Sequence, residues 1–536
     1  MTGKMNRRAF LGTSALAAIA AGTPFSFTSG ALAQGTPKKG GVLVATWGGF
    51  EPQAVFVPAG GGSSPFISST KILEPLIRQD GKGDFLPVLA TEVKPSADFK
   101  AYDITIRKDV TWHDGKPFTA DDVIFSINKY WLPTVAKAAL KNFSGSEVVG
   151  DSGVRLSFSE PTPEFFLKSV LATSVVVPKH IYDGAEIATN PANNAPIGTG
   201  PFKFKQWVRG SHIEYAANDK YWDAGKPYLN GLVLRYWRDA ASRTAALEAD
   251  ELQLGIFNPI PAPDIERLSK TKKFVAATDG YLGAAWASTI EFNSRRDIVK
   301  DPAVRRALLT AIDRETISDV VYFGRAKPGT SFVHSSNPKF YNPKLPRYEF
   351  DPKKAAKMLD DAGYPKKGKT RFKINLLAAG WFEENGKVGQ FVKQNLEDIG
   401  VEVNLTVPDR ATSLKQIYGD YDYDIALSNY ASQIELVPKQ TDYVATSGIV
   451  KGAAFRNANG YSNPELDEIV AKMSVETDET KRKDLAFKLQ EIIARDLPIT
   501  VLIELVSTTM MASKVKGLGN RADISGDSLS DVWLDV

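Results

Sequence analysis

The sequence predicts a large α/β protein built as at least two lobes, and three observations carry that prediction. The chain has 536 residues, more than one hydrophobic core organises. Helix-like and strand-like segments alternate over 291–496. Two long apolar segments of extended character, 283–292 and 497–506, bracket that α/β region on both sides. If the chain leaves a first lobe through one and returns through the other, both lobes are discontinuous and share a two-stranded hinge. The alternative is that both are ordinary strands of one sheet.

The individual elements follow from local pattern. Residues 41–46 (Val42, Leu43, Val44) read as a buried strand. Over 102–107, Tyr102, Ile104 and Ile106 alternate with Asp103, Thr105 and Arg107, the period of a half-exposed strand. Thr119 caps a helix, with Asp122 reaching back and Val123, Ile127 and Tyr130 on one face. Asp121 and Asp122 therefore read as helix-start acids favoured by the dipole, not as an acid–base pair. Asp301-Pro302, Asp351-Pro352 and Asn463-Pro464 start three further helices, the second ending at Gly363. Leu485, Leu489, Ile492 and Ile493 mark a fourth. Strands are expected at 372–377, 401–407 and 423–428.

At the amino terminus, Asn6-Arg7-Arg8-Ala9-Phe10-Leu11 precedes an apolar run at 12–21 and the small-residue stop Ala31-Leu32-Ala33. Paired arginines, a core too short to span a bilayer and an Ala-x-Ala stop predict a twin-arginine signal peptide over 1–33. Cleavage after Ala33 leaves 34–536 in the periplasm, away from any ATP pool. Removing Lys4, Arg7 and Arg8 takes the net charge from +4 to +1, too balanced for a nucleic-acid binder. The absence of cysteine excludes disulfides, thiolate metal sites, a cysteine nucleophile and a lipid anchor through cysteine.

A search for catalysis finds little. The four histidines, His113, His180, His212 and His334, lack the spacing of metal ligands, and no carboxylate cluster completes a set. No Gly-x-Ser-x-Gly elbow or Gly-x-Gly-x-x-Gly loop occurs. Gly363-Tyr364-Pro365-Lys366-Lys367-Gly368-Lys369-Thr370 matches the phosphate-loop pattern, but a helix precedes it and a strand follows, the reverse of what phosphate binding needs.

Several motifs in order then point to one family. Ile72-Leu73-Glu74-Pro75-Leu76, Leu86-Pro87-Val88-Leu89-Ala90 and the run from Asp109 through Trp112-His113-Asp114-Gly115 to Val123 resemble the signature of family 5 extracellular solute-binding proteins. Ile197-Gly198-Thr199-Gly200-Pro201-Phe202, Asn218-Asp219-Lys220-Tyr221-Trp222 and Val304-Arg305-Arg306-Ala307-Leu308 through Ile312-Asp313-Arg314 are similar to the same pattern. These proteins are the receptors of dipeptide, oligopeptide, nickel and opine ABC importers. The resemblance implies the periplasmic binding protein-like II fold, cluster C. Lobe I would comprise 34–81, 191–281 and 498–536, with 82–190 as an extra subdomain; lobe II would be 282–497.

The resemblance also implies a monomeric receptor that catalyses nothing, needs no cofactor, clamps a solute between its lobes and docks on a membrane permease. In dipeptide-binding relatives, the loop after the strand near 423–428 carries a Trp and, three residues on, an Asp for the peptide amine. Here Tyr430 and Gln433 fall at those positions. The loop after 372–377 lacks the arginine that would hold a carboxylate. Both charge anchors thus look missing, and a bare zwitterionic dipeptide would leave two buried charges unpaired. Trp381, Phe382 and Tyr430 as flat faces, with Asn429 and Gln433 as neutral hydrogen bonders, suit an opine, a saccharide or a peptide held by its backbone. Glu435 is a candidate for a cationic group. Trp286, Trp47, Ser63 and Ser64 complete the candidate set. The alternative from another class, an exported hydrolase, predicts turnover that no residue constellation supports; a chaperone or sensor module would need an exposed apolar patch or a partner domain.

Overall fold

Three sheets organise the chain. In the computed structural model, residues 35–47, 51–58, 63–134, 136–137, 139–519 and 521–536 are described. The expected signal peptide and its cleavage site lie outside the described residues.

The first sheet has seven strands in the order Phe274–Ala277, Thr509–Ala512, Leu254–Gly255, Val42–Thr46, Gly231–Arg235, His212–Ala217 and Phe202–Val208. Val42–Thr46 sits at its centre, parallel to both neighbours, with Leu43 and Ala45 buried as its apolar run requires. A four-stranded antiparallel sheet, Ala90–Pro95, Ala101–Ile106, Gly153–Phe158 and Phe143–Val149, stands beside it. There the period-two pattern holds: Tyr102, Ile104 and Ile106 are buried while Asp103 and Thr105 face out. The third sheet has six strands, ordered Ala326–Pro328, Ile499–Leu505, Ala285–Phe292, Ile425–Ser432, Phe372–Ala378 and Val401–Thr406.

The two bracketing segments turn out to satisfy both readings at once. Ala285–Phe292 and Ile499–Leu505 pair antiparallel as inner strands of the six-stranded sheet. Their continuations, Phe274–Ala277 and Thr509–Ala512, pair antiparallel in the seven-stranded sheet. The chain therefore crosses between the sheets twice, side by side, at 278–284 and 506–508. The crossings are tied together: Phe257 N donates to the Tyr281 hydroxyl at 3.1 Å, and that hydroxyl lies 2.7 Å from Thr509 Oγ1. The C-terminal segment straps the first crossing, with Gly283 N donating to Ala522 O at 2.9 Å and Ile524 N to Gly280 O at 2.8 Å.

Helix starts fall where the caps put them. Pro302–Thr310, Pro352–Asp361 and Pro464–Met473 each begin at proline behind an Asp or Asn whose side chain accepts a first-turn N–H. Gly363 adopts φ +88°, the left-handed stop its residue type allows. Asp122 accepts from Thr119 N at 2.9 Å, Lys179 N at 2.9 Å and Trp112 Nε1 at 3.3 Å, a structural carboxylate. The phosphate-loop look-alike connects helix Pro352–Asp361 to strand Phe372–Ala378, in the order that excludes phosphate binding.

One boundary is corrected. The strand expected at 423–428 is observed at Ile425–Ser432, because its pairing with Ala285–Phe292 runs on to Ala285↔Ser432. Asn429 and Tyr430 are thus strand residues, not loop residues.

Candidate functional site

Four of the family-like motifs, around Glu74, His113, Gly198–Gly200 and Tyr221–Trp222, converge on one structural knot in lobe I, the lobe built on the seven-stranded sheet. Gly198 and Gly200 cross directly over Ile72; a Cβ at Gly198 would stand 1.9 Å from the Ile72 carbonyl oxygen, so only glycine permits the approach. That closeness delivers Thr199 Oγ1 to Glu74 at 2.9 Å, alongside Tyr221 Oη at 2.7 Å and Trp222 Nε1 at 3.0 Å. Burial pushes the Glu74 carboxyl up to about 7, against the pull of these three donors. His113 closes the knot, its Nδ1 accepting from Gly198 N at 3.3 Å and its Nε2 donating to Gly200 O at 2.9 Å. Both ring nitrogens are used by the neutral form, and burial lowers its pKa to about 4. His113 is structural.

Beside the knot opens a cavity of about 290 Å3, at the small end for ligand pockets. One wall comes from the strand Ile77–Gln79 and the C-terminal segment 521–531. A second comes from the helix Glu164–Thr173, and the third from 433–439 of lobe II, the lobe built on the six-stranded sheet. Gly283, on the first crossing, completes it. The lobes also touch at its edge, where Phe165 packs between Phe85 and Phe340 with ring centroids 5.3 Å and 6.3 Å apart.

The wall is heavily charged, and most of its charges are paired. Arg521 binds Asp527 and, at 2.6 Å, Asp531. Asp531 is shared with Lys226 at 2.6 Å, which also holds Asp223 at 2.9 Å. Behind the wall the buried Lys71 ammonium donates to the carbonyl of Asp527 and to Thr70 Oγ1 at 3.1 Å, and burial drives its pKa down to about 8. Asp523 Oδ1 accepts from Ser525 N at 2.8 Å and Ser525 Oγ at 2.5 Å, with its carboxyl raised by burial.

The structure divides the sequence candidates. Gln433 and Glu435 line the cavity. Glu435 is not free for a cationic group, however: Arg482 holds it through two 2.7 Å bonds, with both side chains at least nine-tenths buried. Tyr430 presents no open face. Its ring is buried between Phe332 and Tyr443, and its hydroxyl donates to the Phe332 carbonyl. Asn429 is buried too, its Oδ1 accepting from Asn385 Nδ2 at 2.7 Å. Both corrections share one cause, the strand's extension to Ser432. Trp47 is buried inside lobe I, lining a small void with Lys71.

Trp286 and Phe382 do meet, edge to face at 5.4 Å, where the parallel strands Phe372–Ala378 and Ile425–Ser432 end; Phe382 is 37% exposed. Trp381 leans on Phe455 at 5.8 Å instead. Ser63 opens the helix Ser63–Ser69, and the Ser64 carbonyl accepts from Ser68 Oγ at 2.9 Å. Among the described residues no group of three metal-ligating side chains gathers, and no helix is long and apolar enough to cross a membrane.

Sequence reasoning missed Arg78, Lys439, Arg521 and Asp523, all on the cavity wall. Nothing local marks them: Arg78, Lys439 and the 521–523 segment lie far apart in the chain and share a wall only because the chain crosses between the lobes.

Comparison with known proteins now decides the family. The profile of the bacterial extracellular solute-binding proteins, family 5, matches residues 84–451, more than half of the chain. This protein belongs to that family. It is 30% identical over 450 residues to the oligopeptide-binding protein AppA of Bacillus subtilis, covering 80% of this chain and 79% of that one. The structure of that AppA with a nonapeptide matches at a TM-score of 0.75 and 27% identity, over 94% of this chain and 100% of the other. NikA from Brucella suis, solved with Fe(III)-EDTA, shares the fold at a TM-score of 0.80 and 23% identity, over 92% and 100%. This family 5 protein is a solute-binding receptor of an ABC importer; its relatives are binding proteins, not enzymes, of an exported family.

Proposed function

We propose that this receptor captures a peptide-like solute in the cavity between its lobes and passes it unchanged to a membrane permease. The single observation that carries the reading is the position of the cavity. Its walls come from both lobes, and Gly283 of the hinge crossing is part of it. A solute there gains contacts from both sides only when the lobes close, so its differential affinity shifts the open–closed equilibrium. The strands Ala285–Phe292 and Ile499–Leu505 are buried and paired along their length, which leaves the two short crossings to absorb the rotation. On this reading the mature receptor is a monomer that begins near Gln34 after twin-arginine export, with 82–190 as an extra subdomain of lobe I.

The peptide assignment draws on the relatives, oligopeptide-binding AppA among them. Native mass spectrometry of the receptor incubated with a peptide mixture tests this, paired with small-angle scattering. Bound peptides of unaltered mass and a contraction of the particle are expected. A hydrolysed product, or no contraction with any captured solute, would reject the reading.

A further inference from the structure

Two cations on the cavity wall make no direct ion pair. Arg78, half-buried on the strand Ile77–Gln79, lines the cavity from lobe I, and Lys439 lines it from lobe II. Neither makes an ion pair or a side-chain hydrogen bond among the described residues. The nearby carboxylates are already engaged. Asp527 and Asp531 close on Arg521, Asp531 and Asp223 bind Lys226, and Glu435 is held at both oxygens by Arg482. Asp523 accepts from the Ser525 amide and hydroxyl and has the Lys71 ammonium in its field. Every other strong charge of the wall is answered from within the protein.

We propose that Arg78 and Lys439 form a two-lobe clamp for a carboxylate of the solute, so that this receptor selects solutes carrying a free acid group. This rests on the receptor reading above and names the chemistry its cavity requires. Closing the lobes on an empty or neutral solute strips water from two cations and returns nothing, a penalty that rejects neutral ligands. A carboxylate reverses that balance. The planar Arg78 fork can receive two oxygens in parallel, while Lys439 adds a point charge from the opposite lobe. Because the two cations belong to different lobes, the shared anion also offsets their mutual repulsion as the lobes approach. The nearby guanidinium of Arg521 strengthens the demand; burial and that neighbour push the Arg78 pKa down, against the pull of Asp527 and Asp531, which Arg521 already engages. The carboxylate is the anchor, whether it is a peptide C-terminus, an acidic side chain or a sugar acid.

The test uses the mature full-length receptor and thermal-shift titrations with four probes: an enzymatic casein digest, the same digest after methyl esterification of its carboxyls, a set of uronic acids, and the matching neutral sugars. The digest should raise the melting temperature and the esterified digest should fail to. Arg78→Gln and Lys439→Gln should each weaken digest binding by about 10- to 100-fold while leaving the unliganded melting temperature nearly unchanged. Binding of the uronic acids alone, lost in Arg78→Gln, would support the clamp and overturn the peptide assignment. Equal binding of digest and ester, capture of neutral sugars, or full affinity in both variants would overturn the clamp while leaving the receptor reading in place.

Discussion

Two glutamates, one in each lobe, are buried to almost the same degree and live opposite lives. Glu74 in lobe I is 2% exposed and accepts from Thr199, Tyr221 and Trp222. Glu291 in lobe II is 1% exposed, sits on the inner strand Ala285–Phe292, and has no partner on either carboxyl oxygen. Around it the hydroxyls of Tyr423 and Thr289 are likewise unpartnered. Burial alone pushes Glu291 up to about 8, whereas the donors around Glu74 restrain it to about 7. The contrast teaches that lobe I locks its polar interior into a network bordering the cavity, while lobe II keeps a neutral acid in an unsatisfied pocket next to the strands that lead to the hinge.

The largest test of that contrast is in the exception within lobe II. Arg482 and Glu435 form a buried pair that backs the cavity wall. Arg482→Met should destabilise the protein by about 3–5 kcal/mol, because it leaves an uncompensated buried carboxylate. Urea unfolding checks this; a loss under about 1 kcal/mol would mean that Glu435 finds water or neutralises without strain.

Next comes the lobe I network itself. Glu74→Leu removes the acceptor of three buried donors and should destabilise by about 3 kcal/mol, from the desolvation of groups left unpaired. Trp222 cannot turn its N–H elsewhere as easily as a hydroxyl rotates, so near-UV circular dichroism of that indole should change in the variant. An unchanged spectrum and stability would show that the knot is held by Gly198, Gly200 and Ile72 packing alone.

How far this was legible in the sequence differs along the same divide. The elements of both lobes were readable because each reports locally: prolines behind capping residues at 302, 352 and 464, and alternation at Tyr102, Ile104 and Ile106. The double crossing was readable because two apolar runs bracketed the alternating region. The cavity was not. Arg78, Lys439 and Asp523 belong to segments far apart in the chain, and only the crossings bring them together. The error at Asn429 and Tyr430 arose where strand length was judged from apolar character. Pairing partners, not hydropathy, decide where a central strand stops, and polar residues continue such a strand whenever the neighbour continues.

Per pH unit the expected effect is the smallest, and it separates the two glutamates directly. Glu291 has a folded-state pKa of about 8, above its unfolded value near 4.5. The folded state therefore holds a proton that the unfolded chain has already released. Stability from this group is fully present below about pH 4.5 and is lost as pH rises towards 8, at up to about 1.4 kcal/mol per unit. Glu291→Gln keeps the shape, removes the proton, and should flatten that part of the slope between pH 5 and 8. Glu74 carries the same sign over a narrower window ending near 7 but is common to both proteins, so the gap between the parent and Glu291→Gln curves should widen steadily from pH 5 to about 7 and level off towards 8. Urea midpoints at pH 5, 6, 7 and 8 provide the check. Parallel curves for parent and variant would mean that Glu291 ionises at an ordinary pH inside the fold, and that the empty-handed carboxyl of lobe II is in fact supplied with partners by water.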